Sequence, residues 1–356
     1  LITDFTPKQG PISTTVAITG GGFNVNPVSN TVFFGSTAGT VQVGSTSTTL
    51  LVTVPYGANY QYLSVTNLDT KQTGYSLRPF VVTYPTSVGG FNDYSPALNI
   101  GTSGVGNPNQ QVIKDFNGDG NADIVVGTTS GLYLFTNTSI AGSLTFTFSA
   151  QALTLTGITI RALAGDDLDG DGKPDLALNN ASNSQLLIYK NVSSIGGSLS
   201  FSNTGITITS SGFYSVVISD MDADGRPDIL MGGDGGSNVY IYRNTSSGGT
   251  LSFNSFVSVV GTQVSGLYSL VVGDIDGDGK PDLVTGTAYS NNTNVVNVVR
   301  NTSTSPGNIS FASLVNISSS GYYAYGGICL GDINGDGKLD IITTNQNSSQ
   351  GVSVYT

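Results

Sequence analysis

Short runs of apolar residues alternate with polar turn residues along the whole chain, and this pattern predicts strands throughout. Runs such as TTVAITG, LLVTVP, SVVISD and VYIYRN are rich in β-branched and aromatic residues. Clusters of Gly, Ser, Thr, Asn and Pro separate them. Helical periodicity is nearly absent, so the predicted fold class is all-β.

The strand pattern divides the chain into two regions. Residues 1–84 hold several short strands, which is typical of a small immunoglobulin-like β-sandwich. Residues 88–356 repeat with a spacing of 52 to 58 residues. In each unit one strand enters an acidic turn, a second leaves it, a third is aromatic or β-branched (LLIYKN), and a fourth follows a Gly/Ser turn (LSFSN, LSFNSF, ISFASL). Four antiparallel strands per unit predict the blades of a β-propeller.

The acidic turn is one nine-residue pattern that occurs five times. We call these segments acidic loops 1 to 5: 115–123 (DFNGDGNAD), 167–175 (DLDGDGKPD), 220–228 (DMDADGRPD), 274–282 (DIDGDGKPD) and 332–340 (DINGDGKLD). Carboxylate or amide side chains occupy positions 1, 3, 5 and 9, and glycine occupies position 6, where the chain bends sharply.

This spacing is typical of a calcium site, because Ca²⁺ takes about six to eight oxygen ligands in a flexible geometry. Positions 1, 3, 5 and 9 would supply side-chain oxygens, and position 7 its backbone carbonyl. The predicted ligands, about one ion per loop, are Asp115, Asn117, Asp119, Asn121 and Asp123; Asp167, Asp169, Asp171, Lys173 and Asp175; Asp220, Asp222, Asp224, Arg226 and Asp228; Asp274, Asp276, Asp278, Lys280 and Asp282; and Asp332, Asn334, Asp336, Lys338 and Asp340.

The loops differ from an EF-hand, which has a Glu at position 12 and flanking helices. Here strand-like residues follow each loop, and the alternative is an acidic surface turn. Loops 1 and 5 have Asn117 and Asn334 at position 3, so we expect these two sites to be weaker by one negative charge.

Charge agrees with a metal-binding role. Every acidic residue is Asp, and 18 of the 23 lie in the acidic loops; five divalent ions would change the formal charge of −11 to −1. With 12 scattered Lys and Arg the sequence does not indicate nucleic-acid binding. No apolar stretch approaches the length of a membrane-spanning helix.

Both regions resemble known families. The segment ITDFTPKQGPISTTVAITGGGFN, followed by VFFGS and LLVTVP, resembles the IPT/TIG immunoglobulin-like domain, which usually serves as a spacer. The repeats resemble the FG-GAP/VCBS units of integrin α-subunit propellers and of many secreted bacterial surface proteins. That resemblance implies calcium in the loop between the first two strands of each blade.

The phase of the repeats bears on whether the propeller closes. The repeat region begins with a lone fourth strand (GGFNDYSPAL, 89–98) and ends after a third strand (351–356). Together these pieces would complete one blade and close a five-bladed ring. The alternative is a fragment of a larger ring, since integrin-type propellers have seven blades.

Three functions are considered for the chain. The first is an extracellular, bacterial cell-surface binding or adhesion module whose calcium is structural and whose partner is a surface glycan or protein. The second is a structural spacer within a larger surface protein or filament. The third, a polysaccharide-acting enzyme, is the weakest, because the sequence has no His and no Glu for acid–base catalysis. We therefore expect no enzymatic activity.

A ligand site, if present, is expected at the channel mouth opposite the acidic loops. The first strands begin there, and the candidate residues are Arg161, Tyr214, Tyr268 and Tyr323. The alternative is that these side chains only pack between blades. Two further expectations concern a buried thiol at Cys329 and nine Asn-x-Ser/Thr sequons, including those at Asn137, Asn244 and Asn301, for which composition alone is a sufficient explanation.

Overall fold

The computed structural model describes residues 2–83, 106–140, 145–149, 158–209, 213–233, 238–260, 267–287, 295–318, 327–344 and 351–356. Within these residues the secondary structure is strand apart from one 3₁₀ turn at Pro27–Ser29, which confirms the all-β prediction. No helix in the described part of the chain has the length and apolar character needed to cross a bilayer.

The N-terminal region forms a β-sandwich-like unit around one apolar core. A seven-stranded order, β1-β3-β6-β5-β4-β7-β8, and a parallel pair, β2-β9, make up this unit. Alternate residues such as Val16 and Ile18 on β3 and Val32 on β4 point inward and meet Phe80. The strands are β1 Ile2–Thr6, β2 Gln9–Gly10, β3 Thr15–Gly20, β4 Asn30–Phe34, β5 Thr37–Val41, β6 Thr49–Thr53, β7 Tyr62–Asn67, β8 Gln72–Pro79 and β9 Val81–Val82.

The repeat region forms antiparallel sheets that we call blades 1 to 5. Blades 1 to 4 have four strands each, and blade 5 has three among the described residues. Blade 1 is β10 Pro108–Lys114, β11 Asp123–Thr128, β12 Gly131–Asn137 and β13 Phe146–Ser149; blade 2 is β14 Ile160–Asp166, β15 Asp175–Asn180, β16 Gln185–Asn191 and β17 Phe201–Thr209; blade 3 is β18 Phe213–Ser219, β19 Asp228–Gly233, β20 Asn238–Tyr242 and β21 Val257–Val260; blade 4 is β22 Leu267–Gly273, β23 Asp282–Thr287, β24 Val295–Val299 and β25 Val315–Ser318; blade 5 is β26 Ile328–Gly331, β27 Asp340–Thr344 and β28 Val352–Tyr355.

Successive blades pack face to face, as in a propeller. The first strands β10, β14, β18, β22 and β26 are neighbours in that order. An apolar core lies between each pair of blades; Val125 of blade 1 and Leu176 of blade 2, for example, belong to the same cluster. Each of blades 1 to 4 is therefore stabilised by the one that follows it.

Two predictions about individual segments are wrong. In blades 3 and 4 the runs LSFNSF and ISFASL form isolated bridges at Phe253 and Phe311, and the fourth strands lie further along, at β21 and β25. These runs do not join the strand ladder of their blade, because Phe253 and Phe311 instead bridge to Asn244 and Asn301, just past the third strand. Cys329 is exposed, because Ile328 and Leu330 of the same strand turn toward the blade core and alternation directs the cysteine away from it.

Ring closure stays a prediction. Residues 89–98, which would supply the missing strand of blade 5, lie outside the described residues.

Candidate metal-binding loops and the channel ring

Each acidic loop joins the first strand of its blade to the second. In blade 2, β14 ends at Asp166, loop positions 1 to 9 follow, and β15 begins at Asp175, which is position 9. The backbone is left-handed at position 6, as the sequence predicts, and also at position 4, for example at Gly170 (φ 74°). Two left-handed residues so close together curl the chain into a compact cup.

The aspartate at position 1 organises the cup through the backbone. The carboxylate of Asp167 accepts hydrogen bonds from the backbone N–H groups of Asp171, at 3.0 Å, and Gly172, at 2.8 Å. The bond from position 6 to position 1 recurs in every loop at 2.8 to 3.0 Å. The five loops thus share one geometry.

The aspartate at position 9 ties the loop to its own blade. One oxygen of Asp175 accepts from the N–H of Leu168, at 3.1 Å, and the other from the N–H of Asn191, at the end of the third strand, at 2.8 Å. This carboxylate is fully buried. Position 9 therefore fixes both the loop and the third strand.

Carboxylates from positions 1, 3 and 9 converge in the middle three loops. One oxygen from each lies within 4.8 Å of the others in three groups: Asp167, Asp169 and Asp175; Asp220, Asp222 and Asp228; and Asp274, Asp276 and Asp282. Position 5 is not part of these groups; the carboxylate of Asp171 accepts from the N–H of Lys173 at 3.0 Å. Within the described residues, only loops with Asp at position 3 form such a three-carboxylate group.

Burial makes these groups costly without a counter-charge. Removal from water, together with the smaller effect of neighbouring carboxylates, raises the pKa of Asp167 and Asp220 to about 7. Burial likewise raises the pKa of Asp123 to about 7 and that of Asp228 to about 8. Several buried oxygens with one sign of charge, and only oxygen donors, fit a hard divalent cation.

The remaining predicted ligands lie in the same loops, with varied surroundings. Loops 2 and 3 are largely buried, whereas position 5 of loop 1 and positions 3 and 5 of loops 4 and 5 are exposed. At position 7 the side chains point away from the cup or along its rim: the ammonium of Lys173 donates to the carbonyl of Ser193 at 2.7 Å, and Arg226 pairs with Asp224 at 3.0 Å. The role of the position 7 carbonyl stays a prediction.

A repeated asparagine at the end of the third strand was missed by sequence reasoning. The side-chain amide of Asn191 donates to the carbonyl of Pro174 in its own loop and to that of Phe116 in acidic loop 1, at 2.9 and 2.8 Å. Asn244 and Asn301 make the same two bonds, each reaching the loop of the preceding blade. The signal was the recurring Asn-x-Ser sequon, whose serine N–H donates back to the asparagine oxygen. These buried sequons serve as clamps between blades.

The N-terminal sandwich packs on the side of the propeller that carries the acidic loops. The backbone N–H of Asp115 donates to the carbonyl of Ser36, at 2.6 Å, and that of Thr73 donates to the carbonyl of Gly225. The buried hydroxyl of Tyr75 donates to Asp166, the residue before loop 2, at 3.1 Å. Burial raises the pKa of this phenol well above its usual value. The sandwich thus contacts loops 1 and 3 and the entrance to loop 2.

A cavity of about 600 Å³ lies beneath the sandwich. Tyr62 and Leu77 of the sandwich line one side, and Val217 and Val272 of the first strands of blades 3 and 4 line the other. The sandwich therefore covers the loop ends of the first strands of blades 3 and 4.

At the other end of the first strands, the predicted ring residues occupy β-bulges. The ladder skips one residue at Asn109, Arg161, Tyr214 and Tyr268, each six residues before a loop. A bulge redirects a side chain and is common beside functional sites. The exposed Arg161 lies over the ring of Tyr214, 4.9 Å from its centroid, and so joins blades 2 and 3. The side chain of Tyr268 and all of Tyr323 lie outside the described residues.

Known families match both regions of the chain. The IPT/TIG domain profile matches residues 1–84. The FG-GAP-like repeat profile matches 115–178, 167–231 and 220–285, and the FG-GAP repeat profile matches 324–355. Consecutive FG-GAP-like matches overlap at acidic loops 2 and 3, and each of these three matches begins at the first residue of an acidic loop. No curated protein matches the sequence significantly.

Several solved structures resemble the chain at a low level. An auxiliary nutrient binding protein from Bacteroides thetaiotaomicron is 13% identical, with a TM-score of 0.34. The match covers 100% of this chain and 97% of the chain of that protein. A Tc holotoxin pore from Photorhabdus luminescens is 16% identical over 96% of this chain and 15% of its own, with a TM-score of 0.44. An exotype rhamnogalacturonan lyase is 13% identical over 97% of this chain and 64% of its own, with a TM-score of 0.37. These values carry no argument about function. The profiles do establish the composition of the chain, which is an IPT/TIG domain followed by FG-GAP-type repeats.

Proposed function

We propose that the chain is an extracellular, calcium-stabilised β-propeller that binds a surface glycan or protein. The observation that carries the calcium assignment is the convergence of three carboxylates at the same positions of loops 2, 3 and 4, all of them buried in loops 2 and 3. One such group would be an unremarkable acidic turn. Three groups with one geometry, within FG-GAP-type repeats, support a shared metal.

Calcium suits the loops better than magnesium. Mg²⁺ demands a near-octahedral shell and keeps several waters, whereas Ca²⁺ accepts a crowded and irregular set of carboxylates. Bound calcium would neutralise the carboxylates and hold the first two strands of each blade together. Loops of this kind are filled at the millimolar calcium found outside cells, which supports an extracellular location.

A structural role for the metal is favoured over catalysis. The aspartates outside the loops that the structure describes all have partners: Asp4 pairs with Lys8, Asp69 accepts from Asn24, and Asp166 accepts from Tyr75. None of the three is paired with a second carboxylate as a glycosidase would require. We therefore propose that the protein is not an enzyme.

The ring at the open mouth of the channel is our candidate binding surface. Arg161 is exposed, its guanidinium lies over Tyr214, and both stand on bulges that project their side chains from the first strands. Tyrosine and arginine are the residues most often found at the energetic centre of an interface. Because the sandwich contacts acidic loops 1 and 3 on the opposite side, a partner would approach the propeller from this face.

A binding screen with matched variants tests this function. The protein in millimolar calcium would be applied to an array of surface glycans and to extracellular proteins, together with the Arg161→Ala and Tyr214→Ala variants. Tyr56→Ala, an exposed tyrosine of the sandwich, is the control. Loss of binding in the ring variants alone, with an unchanged melting temperature, supports the proposal. A lower melting temperature without a binding partner would instead favour a packing role and the spacer function.

A further inference from the structure

One position at the end of the third strand has the same register relative to the acidic loop in every blade. The first residue after each acidic loop pairs with a residue of the third strand, as Leu176 pairs with Tyr189 in blade 2, and the position in question comes directly after that partner. The register is the same in all blades. The occupants are Thr136, Lys190, Arg243, Arg300 and Thr356 in blades 1 to 5. We call this the strand-end position.

The strand-end residue varies together with loop position 3. Where position 3 is Asp, in loops 2, 3 and 4, the strand-end residue is Lys or Arg. Where position 3 is Asn, in loops 1 and 5, the strand-end residue is Thr. The additional negative charge of a loop is thus accompanied by one additional positive charge in the same blade.

The structure shows these two positions in contact. The ammonium of Lys190 pairs with Asp169, whose side chain is fully buried, and lies 3.3 Å from Asp171. Arg243 pairs with Asp222 and Asp224 of loop 3 in the same way. Arg300 pairs with Asp276 and, at 3.0 Å, with Asp278 of loop 4.

Loop 1 reaches the same arrangement without a charge. The side-chain nitrogen of Asn117 donates to Asp119 at 3.3 Å and to the carbonyl of Gly197, in the turn of the next blade, at 2.8 Å. In loop 2 the ammonium of Lys190 donates to the corresponding carbonyl, that of Gly249, at 3.0 Å. The amide nitrogen of Asn117 in loop 1 and the ammonium of Lys190 at loop 2 therefore have the same two partners: the position 5 carboxylate and a turn carbonyl of the next blade.

We infer that Lys190, Arg243 and Arg300 are built-in counter-charges that balance the third-position aspartates, so that all five loops bind calcium with similar affinity. This inference rests on the proposed calcium function and differs from the expectation that loops 1 and 5 are the weaker sites. In loop 2 the ammonium pairs with Oδ2 of Asp169, and the second oxygen, Oδ1, accepts from the backbone N–H of Asp171 within the loop. The basic side chain also limits repulsion among the carboxylates before the ion binds.

The pairing of Lys190 with Asp169 predicts different effects on calcium binding for Asp169→Asn and for Lys190→Thr. Asp169→Asn leaves an unpaired lysine beside the ion and is expected to weaken calcium binding at loop 2 by roughly tenfold or more. Lys190→Thr removes a repelling charge, so calcium binding is kept, while the calcium-free protein melts at a lower temperature because Asp169 loses its partner. The double variant reproduces the Asn and Thr pair of loop 1 and is expected to bind like the unmodified protein.

Equilibrium dialysis at a limiting free calcium concentration, followed by metal analysis, measures this cycle on the full chain. We expect about five ions for the unmodified protein, one fewer for Asp169→Asn, and the full number again for Asp169→Asn with Lys190→Thr. Lys8→Thr is the control, because that ammonium pairs with Asp4 of the sandwich rather than with a loop carboxylate. Melting in chelator confirms that each variant folds.

The outcomes separate this inference from the function on which it rests. If the unmodified protein binds its ions but the double variant binds no more calcium than Asp169→Asn, the counter-charge inference is wrong and the calcium function stands. If Asp169→Asn keeps its ion, the counter-charge is also wrong. If the unmodified protein binds no calcium, the proposed function fails and the inference fails with it.

Discussion

The side-chain amide of Asn191 in blade 2 donates a 2.8 Å hydrogen bond to the backbone carbonyl of Phe116 in acidic loop 1. The same side chain also holds its own loop through the carbonyl of Pro174. One buried amide thus ties two consecutive blades together at their acidic loops. With Asn244 and Asn301 this contact forms a chain of clamps through blades 1 to 4.

Replacing Asn191 by Ala should destabilise the propeller by about 1–3 kcal/mol, because two buried carbonyls lose their donor. The free energy of unfolding, measured with urea in the presence of calcium, tests this. Asn316→Ala is the control, since Asn316 also lies in a sequon but is exposed. An equal effect of the two changes would show that the clamp contributes nothing specific.

Ala223 is a strained exception at loop position 4. It has a left-handed backbone, with φ at 57°, where the other four loops have glycine. Ala223→Gly should therefore stabilise the protein by about 0.5–1 kcal/mol, because the clash of Cβ with the backbone is relieved. The reverse change in loop 2, Gly170→Ala, should destabilise it strongly, since the new Cβ would lie 2.5 Å from the carbonyl oxygen of Lys71. Thermal unfolding of both variants checks the pair, and a destabilised Ala223→Gly would contradict it.

The sandwich should respond to calcium although it has no acidic loop of its own. The N–H of Thr73 donates to Gly225 in loop 3, so loosening of that loop on chelation should expose this amide. Hydrogen exchange at Thr73 should accelerate by about tenfold in chelator. The amide of Ile18, within the sandwich core, is the internal control and should not change. Unchanged protection at Thr73 would mean that the contact is independent of the ion.

Without calcium, the protein should become more stable as the pH falls from 8 to 5. The pKa of Asp123 and Asp167 is about 7 in the folded protein, because burial disfavours the charged form, whereas an unfolded aspartate titrates near 3.9. The folded state therefore holds protons that the unfolded state releases, and stability is lost as the pH rises through 7. Melting temperatures in chelator at pH 5, 6.5 and 8 test this. A higher melting temperature at pH 8 than at pH 5 would contradict it.

Much of the fold follows from the sequence because one loop chemistry recurs. An acidic loop requires particular residues at alternate positions, so five copies in register reveal both the blades and their strands. Asn191 was harder to interpret, because its sequon resembles a modification signal and its partner Phe116 is 75 residues away. The contact between Tyr75 and Asp166 leaves no pattern at all, since neither residue repeats.

The pairing of Lys190 with Asp169 lies between these cases. Both residues are visible in the aligned repeats, but the strand register is needed to bring them together. Counting loop charges alone gives the expectation of two weak sites, and calcium binding by the loop 2 variants decides between that expectation and the counter-charge inference. The predicted fourth strands of blades 3 and 4 are wrong because Phe253 and Phe311 form bridges to Asn244 and Asn301, just past the third strand.

Calcium content and calcium-dependent stability can be measured together on the dialysed protein. If each loop binds with a Kd of ~0.1 mM, then ~1 mM calcium should stabilise the fold by about 1.4 kcal/mol per site. The account predicts about five calcium ions per chain and a melting temperature that falls strongly in excess chelator. Fewer than about three ions per chain, or an unchanged melt in chelator, would contradict the assignment of the acidic loops as structural calcium sites.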